Sequence, residues 1–594
     1  MPRSGWALAG LAIVAGARAS SPSLASVCTD AYAVAKLPIQ DVYLEDGTYT
    51  SLSIDATSVS ATATYNYSVS NNVMYPNATM DLCQVSFAYS HTGLDDRVQV
   101  LYWLPAPSAF NNRYLTTGGG GLAINSGNTS LPGGVQYGAV AGITDGGFGS
   151  FETQYDAVAL LGNGTLNYDA LYNFGYRSIH EMTFLGQLFT QNFYNMTNGT
   201  KLYSYYQACS EGGREGWSQV QRFTSFDGAI IGAPAFRYGH QQVNHLTSSV
   251  VEYTQDYYPP PCELTRILNA TLAFCDPLDG KTDGVVSRTD LCLLEFDLNS
   301  TIGLSYSCPA STGGGFMKRQ MGGLGGAATT PAQNGTVSAQ AVSVAKTILN
   351  GLHDSQGRRA YLSYQPSATW TDAATSYNTT TGTWGLEIDG LGGEWVAKWL
   401  MLLNITSIPS YEGVTYDALR DWMYEGWQRY EDVLQTTWPD LTPYQQAGGK
   451  VLHYHGESDY SIPTASSVHY WESVRGVMYP NMTYNASADA LNDWYRLYLV
   501  PEGSHCSTNT NEPNGPWPQT NMQVMIDWVE NGVVPTTLNA THLAGDNVGE
   551  SAQICAWPLR PLWVDGGNTM ECVYDQKSID TWMYNFDSFP TLVY

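Results

Sequence analysis

Two periods alternate along this chain. From residue 20 to about 110, apolar and polar positions alternate through Thr-, Ser- and Tyr-rich runs such as Thr62-Ala63-Thr64-Tyr65 and Val98-Gln99-Val100-Leu101-Tyr102. That two-residue period predicts antiparallel strands. Tyr168 to Tyr194 changes to helical spacing, carried by Leu171, Phe174, Ile179, Met182, Leu185 and Phe189. Leu202 to Tyr206 then has the composition of a buried strand, Ser210 to Phe223 that of a helix opening on small residues, and Gly228 to Pro234 that of another strand. Strand, sharp turn, helix and strand in this order imply a parallel sheet. The strand-like Arg113-Tyr114-Leu115 runs into Gly118-Gly119-Gly120-Gly121. The sheet pattern resumes at Lys450 to His455, after a short helix from Pro443 stopped by Gly448-Gly449, and continues in Tyr495 to Val500. A late amphipathic helix covers Asn521 to Glu530, and no internal repeat is present.

Residues 242–435 differ in character. They hold four of the ten Cys, six Trp (370, 384, 395, 399, 422 and 427) and a Gly-rich run from Gly313 to Gly326. The expected organisation is therefore one large α/β domain in two parts, 20–241 and 436–594, interrupted by an inserted lid domain.

Composition narrows the class of molecule. With 43% apolar and 12% aromatic residues the chain can fill a large core, which excludes disorder. A net charge of -27 without any Lys/Arg cluster excludes nucleic acid as a partner. The basic Arg3, the apolar run Trp6 to Ala17 and the site Ala17-Arg18-Ala19 together predict a secretory signal peptide over 1–19. That run is too short to span a membrane, so a secreted, extracellular protein is expected. Fourteen N-x-[ST] sequons then become glycan acceptors, and ten Cys become up to five disulfides. In the Gly-rich run, Lys318-Arg319 marks a loop where a protease would cut. A cut after Arg319 leaves seven Cys on one side and three on the other. With all ten paired, at least one disulfide must join the fragments.

The candidate chemistry lies in three short strings. Ala208-Cys209-Ser210-Glu211-Gly212-Gly213 sits at the predicted strand-to-helix turn, where a nucleophilic serine is exposed above a sheet and a helix N-terminus aims N–H groups at a developing oxyanion. His455-Gly456-Glu457-Ser458-Asp459 follows a predicted parallel strand and supplies an acid; Gly503-Ser504-His505-Cys506 follows the next and supplies a base. The order Ser, Asp, His is that of an α/β-hydrolase triad. A disulfide between Cys209 and Cys506 would bring Ser210 and His505 within reach of each other, since bonded Cys have Cα atoms roughly 4.4 to 6.8 Å apart. It would also link the two fragments, although other pairs across the cut satisfy the counting equally well.

Cys209-Ser210, Asp459 and His505-Cys506 resemble the CS-D-HC motif of the secreted fungal tannase and feruloyl esterase family. The likeness extends through Gly212-Gly213-Arg214-Glu215-Gly216, Asp227 to Pro234 and Trp528-Val529-Glu530-Asn531-Gly532, across nearly the whole mature chain. It implies an α/β-hydrolase fold with a large inserted lid and a serine esterase with Ser210 as nucleophile, His505 as base and Asp459 as the triad acid. The oxyanion hole would take the N–H groups of Glu211 and of Gly119 or Gly120. The dibasic site and Cys209-Ser210-Glu211-Gly212-Gly213 look most like fungal tannases, which are processed into two disulfide-linked chains. The leading expectation is hydrolysis of galloyl ester and depside bonds of tannins and gallate esters, releasing gallic acid. The alternatives are a feruloyl esterase acting on plant cell-wall hydroxycinnamate esters and an inactive glycoprotein that binds polyphenols or carbohydrate through its aromatics. The further pairs expected are Cys28 with Cys83, Cys262 with Cys308, Cys275 with Cys292, and Cys555 with Cys572.

Two more sites follow. Asp276, Asp279 and Asp283 recur at i, i+3 and i+7 in a Gly-containing loop, a spacing open to a hard cation or to a solvated acidic turn. The resemblance implies structural calcium there, held by those three side chains and by the carbonyls of Lys281 and Val285. Glu457 and Glu211 are the acidic side chains nearest the triad in sequence, so either is a candidate acceptor for the adjacent hydroxyls of a galloyl ring.

Overall fold

The computed structural model describes residues 22–38, 41–43, 51–312 and 329–594. The signal peptide and the Lys318-Arg319 pair lie outside the described residues. A ten-stranded sheet organises the chain: β1 (Asp41–Tyr43), β2 (Ser51–Val69), β3 (Ala78–His91), β4 (Val98–Pro105), β5 (Arg113–Thr117), β6 (Ala139–Thr144), β7 (Tyr203–Cys209), β8 (Gly228–Gly232), β9 (Lys450–Gly456) and β10 (Tyr495–Val500). Its spatial order is β1-β2-β3-β4-β6-β5-β7-β8-β9-β10. Pairing is antiparallel from β1 through β6, and parallel from there to β10. The fold is α/β-hydrolase-like, with the lid inserted between β8 and β9.

The parallel strands are buried on both faces, which is why apolar residues occupy both of their faces rather than alternating with exposed polar ones. Tyr206, Ala208, Ile231, Val451 and Leu499 face one core, with Ile179, Met182 and Leu185 of α1 (Ser178–Phe193) and Trp217 of α2 (Glu211–Arg222). Tyr205, Ile230, Leu452, Tyr454 and Val500 face the other, with Met522 and Met525 from the helix Asn521–Asn531. Each fully buried side chain of this kind contributes roughly 1.5–3 kcal/mol of transfer free energy.

The lid is built two ways. Val251, Leu264, Ile267, Val344 and Ile348 form a cluster of their own, whereas Trp395, Trp399, Leu419 and Met423 belong to the same core as the helices on the sheet. Among the described residues no helix is long and apolar enough to cross a membrane.

One predicted helix is interrupted. The segment from Tyr168 is helical to Tyr172, widens to a π-turn over Asn173–Arg177, and returns to α geometry in α1. The reason lies in a buried cation: Arg214 donates to the carbonyl oxygens of Phe174 and Gly175, both at 2.9 Å. A Cβ on Gly175 would meet Val433 Cγ1 at 2.0 Å, so the turn also needs glycine where the lid crosses it.

Candidate active site

Ser210, Asp459 and His505 follow the C-terminal ends of β7, β9 and β10, the edge of a parallel sheet where open α/β folds place their sites. Ser210 sits between β7 and α2 with φ 66° and ψ -127°, a conformation that costs about 1–3 kcal/mol in a non-glycine residue. The elbow is held by its neighbours. Ser210 N–H donates to Gly232 O at 3.0 Å, while Ala235 N–H and Arg214 N–H donate to Ser210 O at 3.2 and 3.1 Å. Close packing requires the glycines: a Cβ on Gly212 would meet Ala208 Cβ at 2.6 Å, and one on Gly213 would meet Gly232 O at 2.4 Å.

Ser210 Oγ lies 2.8 Å from His505 Nε2, and His505 Nδ1 lies 2.8 Å from Asp459 Oδ2. The other carboxylate oxygen, Oδ1, accepts the N–H groups of Ser461 and Ile462 at 2.8 and 2.9 Å. Burial alone would raise the Asp459 carboxyl, but the neighbouring His505 and hydrogen bonds from His455 and His505 hold it well below the usual carboxylate range. Cys209 and Cys506, each adjacent in sequence to one member of the Ser–His pair, are joined by a disulfide with Cα atoms 6.0 Å apart. The remaining bridges are Cys28–Cys83, Cys262–Cys308, Cys275–Cys292 and Cys555–Cys572, and no Cys is free.

The expected oxyanion donors divide. Gly119 N–H is taken by Glu215 Oε2 at 3.1 Å and Gly120 N–H by Ala123 O at 3.1 Å, so neither is available to a substrate oxygen. Glu211 N–H opens α2, where the first amides have no acceptor within the helix.

Both carboxylates expected to read the acyl ring are committed elsewhere. Glu211 accepts from Arg214 Nε at 2.8 Å in a buried pair, with Arg214 anchored by the π-turn carbonyls. Glu457 Oε2 accepts from Arg560 at 2.7 Å and from Thr289 Oγ1 at 2.6 Å, and Arg560 also meets Asp290 at 3.2 Å. These are structural ion pairs inside the protein, in which each guanidinium offsets the cost of burying a charged carboxylate.

In the acidic loop, Asp276 Oδ1 accepts the N–H groups of Asp283, Gly284 and Val285 at 3.1 to 3.3 Å. Asp279 accepts from Lys281 N–H and Ser287 Oγ, and Asp283 Oδ2 pairs with Lys281 Nζ at 2.8 Å. Asp283 Oδ1 is buried without a partner. The donors are hard oxygens around an unanswered negative atom, which fits a cation of the calcium type.

Several features were not expected from sequence. His245, Asp372 and Asp389 in the lid have ligand atoms within 4.8 Å of one another, a composition able to hold a metal ion. Both imidazole nitrogens of His245 are already engaged, Nδ1 with Asp372 at 2.9 Å and Nε2 with Gln241 at 3.1 Å. The same Gln241 donates to Ser461 O at 2.9 Å, so this lid cluster abuts the loop carrying Asp459. A cavity of about 800 Å³ between α2 and the lid, lined in part by Arg222, Trp427 and Trp438, contains none of the triad.

The sequence profile of the family described as tannase and feruloyl esterase matches residues 83–579. The chain belongs to the tannase and feruloyl esterase family. Within it, a tannase from Aspergillus oryzae is 51% identical over 98% of both chains. The solved structure of a tannin acyl hydrolase from Aspergillus niger superposes with a TM-score of 0.91 at 59% identity, covering 97% of this chain and 100% of that one. Feruloyl esterase B from Aspergillus oryzae shares the family fold at a TM-score of 0.66 and 23% identity, over 90% of this chain and 98% of that one.

Proposed function

We propose that this protein is a secreted serine esterase that hydrolyses galloyl ester and depside bonds, releasing gallic acid. The carrying observation is the line Ser210 Oγ, His505, Asp459 at a strained elbow. Ser210 attacks the ester carbonyl as His505 Nε2 takes its proton. Asp459 keeps the proton on Nδ1 and stabilises the imidazolium. The tetrahedral oxyanion faces Glu211 N–H at the positive end of α2. His505 returns the proton to the departing alcohol, and water repeats the sequence on the galloyl-enzyme. The choice of galloyl over hydroxycinnamoyl esters is supported by the greater likeness to the two tannin-hydrolysing relatives than to the feruloyl esterase.

Parallel assays on methyl gallate and methyl ferulate test the substrate, with Ser210→Ala and fluorophosphonate labelling of Ser210 as controls. Faster turnover of methyl ferulate moves the assignment to feruloyl esterase. An unlabelled, inert wild type leaves a binding glycoprotein.

The domain reading is part of the proposal: residues 242–435 act as a lid on a catalytic body formed by 20–241 and 436–594. Calcium in the acidic loop, held by Asp276, Asp279 and Asp283 with the carbonyls of Lys281 and Val285, is a structural element of that lid. Export through the signal sequence is supported by five disulfides. Cleavage after Arg319 would leave two chains, for which Cys209–Cys506 is the single bridge spanning the cut.

A further inference from the structure

Asp459 is approached by a second imidazole. Oδ2, which faces His505 Nδ1, also lies 3.1 Å from His455 Nε2, and that nitrogen is 3.1 Å from Ile462 O. A ring nitrogen facing two acceptors and no donor carries the proton, so in the neutral ring Nδ1 is a lone pair. Behind it stands Ser467 Oγ, 2.7 Å from His455 Nδ1 and 2.8 Å from His453 Nε2. Behind His453, Tyr495 OH lies 2.9 Å from Nδ1. The Nδ1 lone pair of His455 accepts a hydrogen bond from Ser467 O–H. Ser467 must then accept from His453 Nε2–H, and His453 Nδ1 from Tyr495 O–H. Burial holds the His453 ring well below the ordinary imidazole range and pushes the Tyr495 phenol up, so both remain neutral. Every bond in the series therefore donates toward Asp459. All five residues are fully buried.

The fold explains the alignment. His453 and His455 are alternate residues of β9 and share a face, the helix Ala465–Met478 supplies Ser467 above them, and the neighbouring β10 supplies Tyr495.

We infer that Tyr495, His453, Ser467 and His455 form a one-way hydrogen-bond relay that positions the triad acid. The inference rests on the catalytic reading of Ser210, His505 and Asp459. Aligned hydrogen bonds polarise one another, so a break remote from Asp459 weakens the donor that His455 presents to it. That donor, with the two loop amides on Oδ1, fixes the carboxylate in the orientation His505 needs. The four are positioning residues, acting through Asp459 and touching no substrate.

Ser467→Ala tests this without altering Asp459 or His505. Loss of the relay should lower kcat on methyl gallate by about tenfold, with KM within about twofold, because misplacement of a catalytic group acts on the chemical step. Ser467→Thr keeps the hydroxyl and should restore kcat. His455→Phe removes the last donor and should lower kcat further, by about 100-fold, while moving the low-field proton resonance of the His505–Asp459 hydrogen bond. Tyr470→Phe, on the same helix and outside the relay, is the control for a purely structural loss: its Tm falls and its kcat does not. Ser467→Ala with a lowered Tm but wild-type kcat and resonance overturns the relay, and the two Ser467 variants decide the matter even where His455→Phe does not fold. Ser210→Ala, measured alongside, separates the layers: near-wild-type turnover there removes the triad itself, whereas a Ser210→Ala lowered by ~10³-fold or more beside a fully active Ser467→Ala removes only the relay.

Discussion

Replacing Ser210 by Ala deletes the oxygen that His505 Nε2 meets at 2.8 Å and leaves the elbow's packing intact. Turnover should fall by ~10³-fold or more while Tm stays near wild type, as read by kinetics and calorimetry on the same preparation. The neighbouring acids behave differently. Because Glu457 is answered by Arg560, Glu457→Ala should lower stability and change KM for methyl gallate and methyl benzoate alike. Arg560→Met, which strands Glu457 inside, should destabilise by about 3–5 kcal/mol in urea melts. Glu252 presents a third case. It is buried in the lid with neither carboxylate oxygen partnered, and burial pushes its carboxyl up to about 9 from 4.5. A proton bound more tightly in the folded state favours folding at low pH. The contribution is complete below about pH 4.5 and is lost as pH rises toward about 9. Glu252→Gln should therefore raise Tm at pH 7 and leave it nearly unchanged at pH 4, a comparison that thermal melts at the two pH values provide.

At the level of elements, the strands β7 to β10, the elbow and the order of the triad were legible because each depends on a local pattern: buried apolar runs, small residues at a turn, a polar loop after a strand. What surrounds them was not. The partner of Glu457 lies 103 residues away on a C-terminal hairpin, and the relay behind Asp459 exists only because one helix crosses two alternate histidines. The spacing His453-x-His455, four residues before Asp459, was the available signal, and a period of two within a strand was its ordinary reading. The π-turn at Asn173 was invisible for the same reason, since its carbonyls are drawn out by Arg214 from another element. The acidic loop yields a prediction at this scale. A chelator should lower Tm more than kcat, because the loop is remote from the triad in sequence and a bound ion stabilises only the state that holds it. Calcium absent by elemental analysis, together with an unchanged melt, returns the loop to a solvated turn.

Across the whole molecule, the covalent map has one long-range bridge, Cys209–Cys506, with a sequence separation of 297; the other four span at most 55. Protein cut after Arg319 should run as one species without reductant and as two with it. Cys209→Ser combined with Cys506→Ser should release the two chains without reductant and lower kcat, since the same bond ties β7 to the loop bearing His505. A non-reducing gel and a rate measurement check both outcomes.

That bridge also makes the peptide between its ends a closed hoop, with the entire lid strung along it. On the chain-entropy account, closing a hoop of this circumference removes freedom from the unfolded chain worth about 5–6 kcal/mol. One severed peptide bond on the hoop outside the Cys262–Cys308 loop, such as the bond after Arg319, opens it, and the unfolded chain regains most of that freedom. The sulfur link then acts as a rivet between two strips rather than as the clasp of a ring. Cutting thus changes what the bond does: from restraining the unfolded state of one chain to keeping two chains at each other's side.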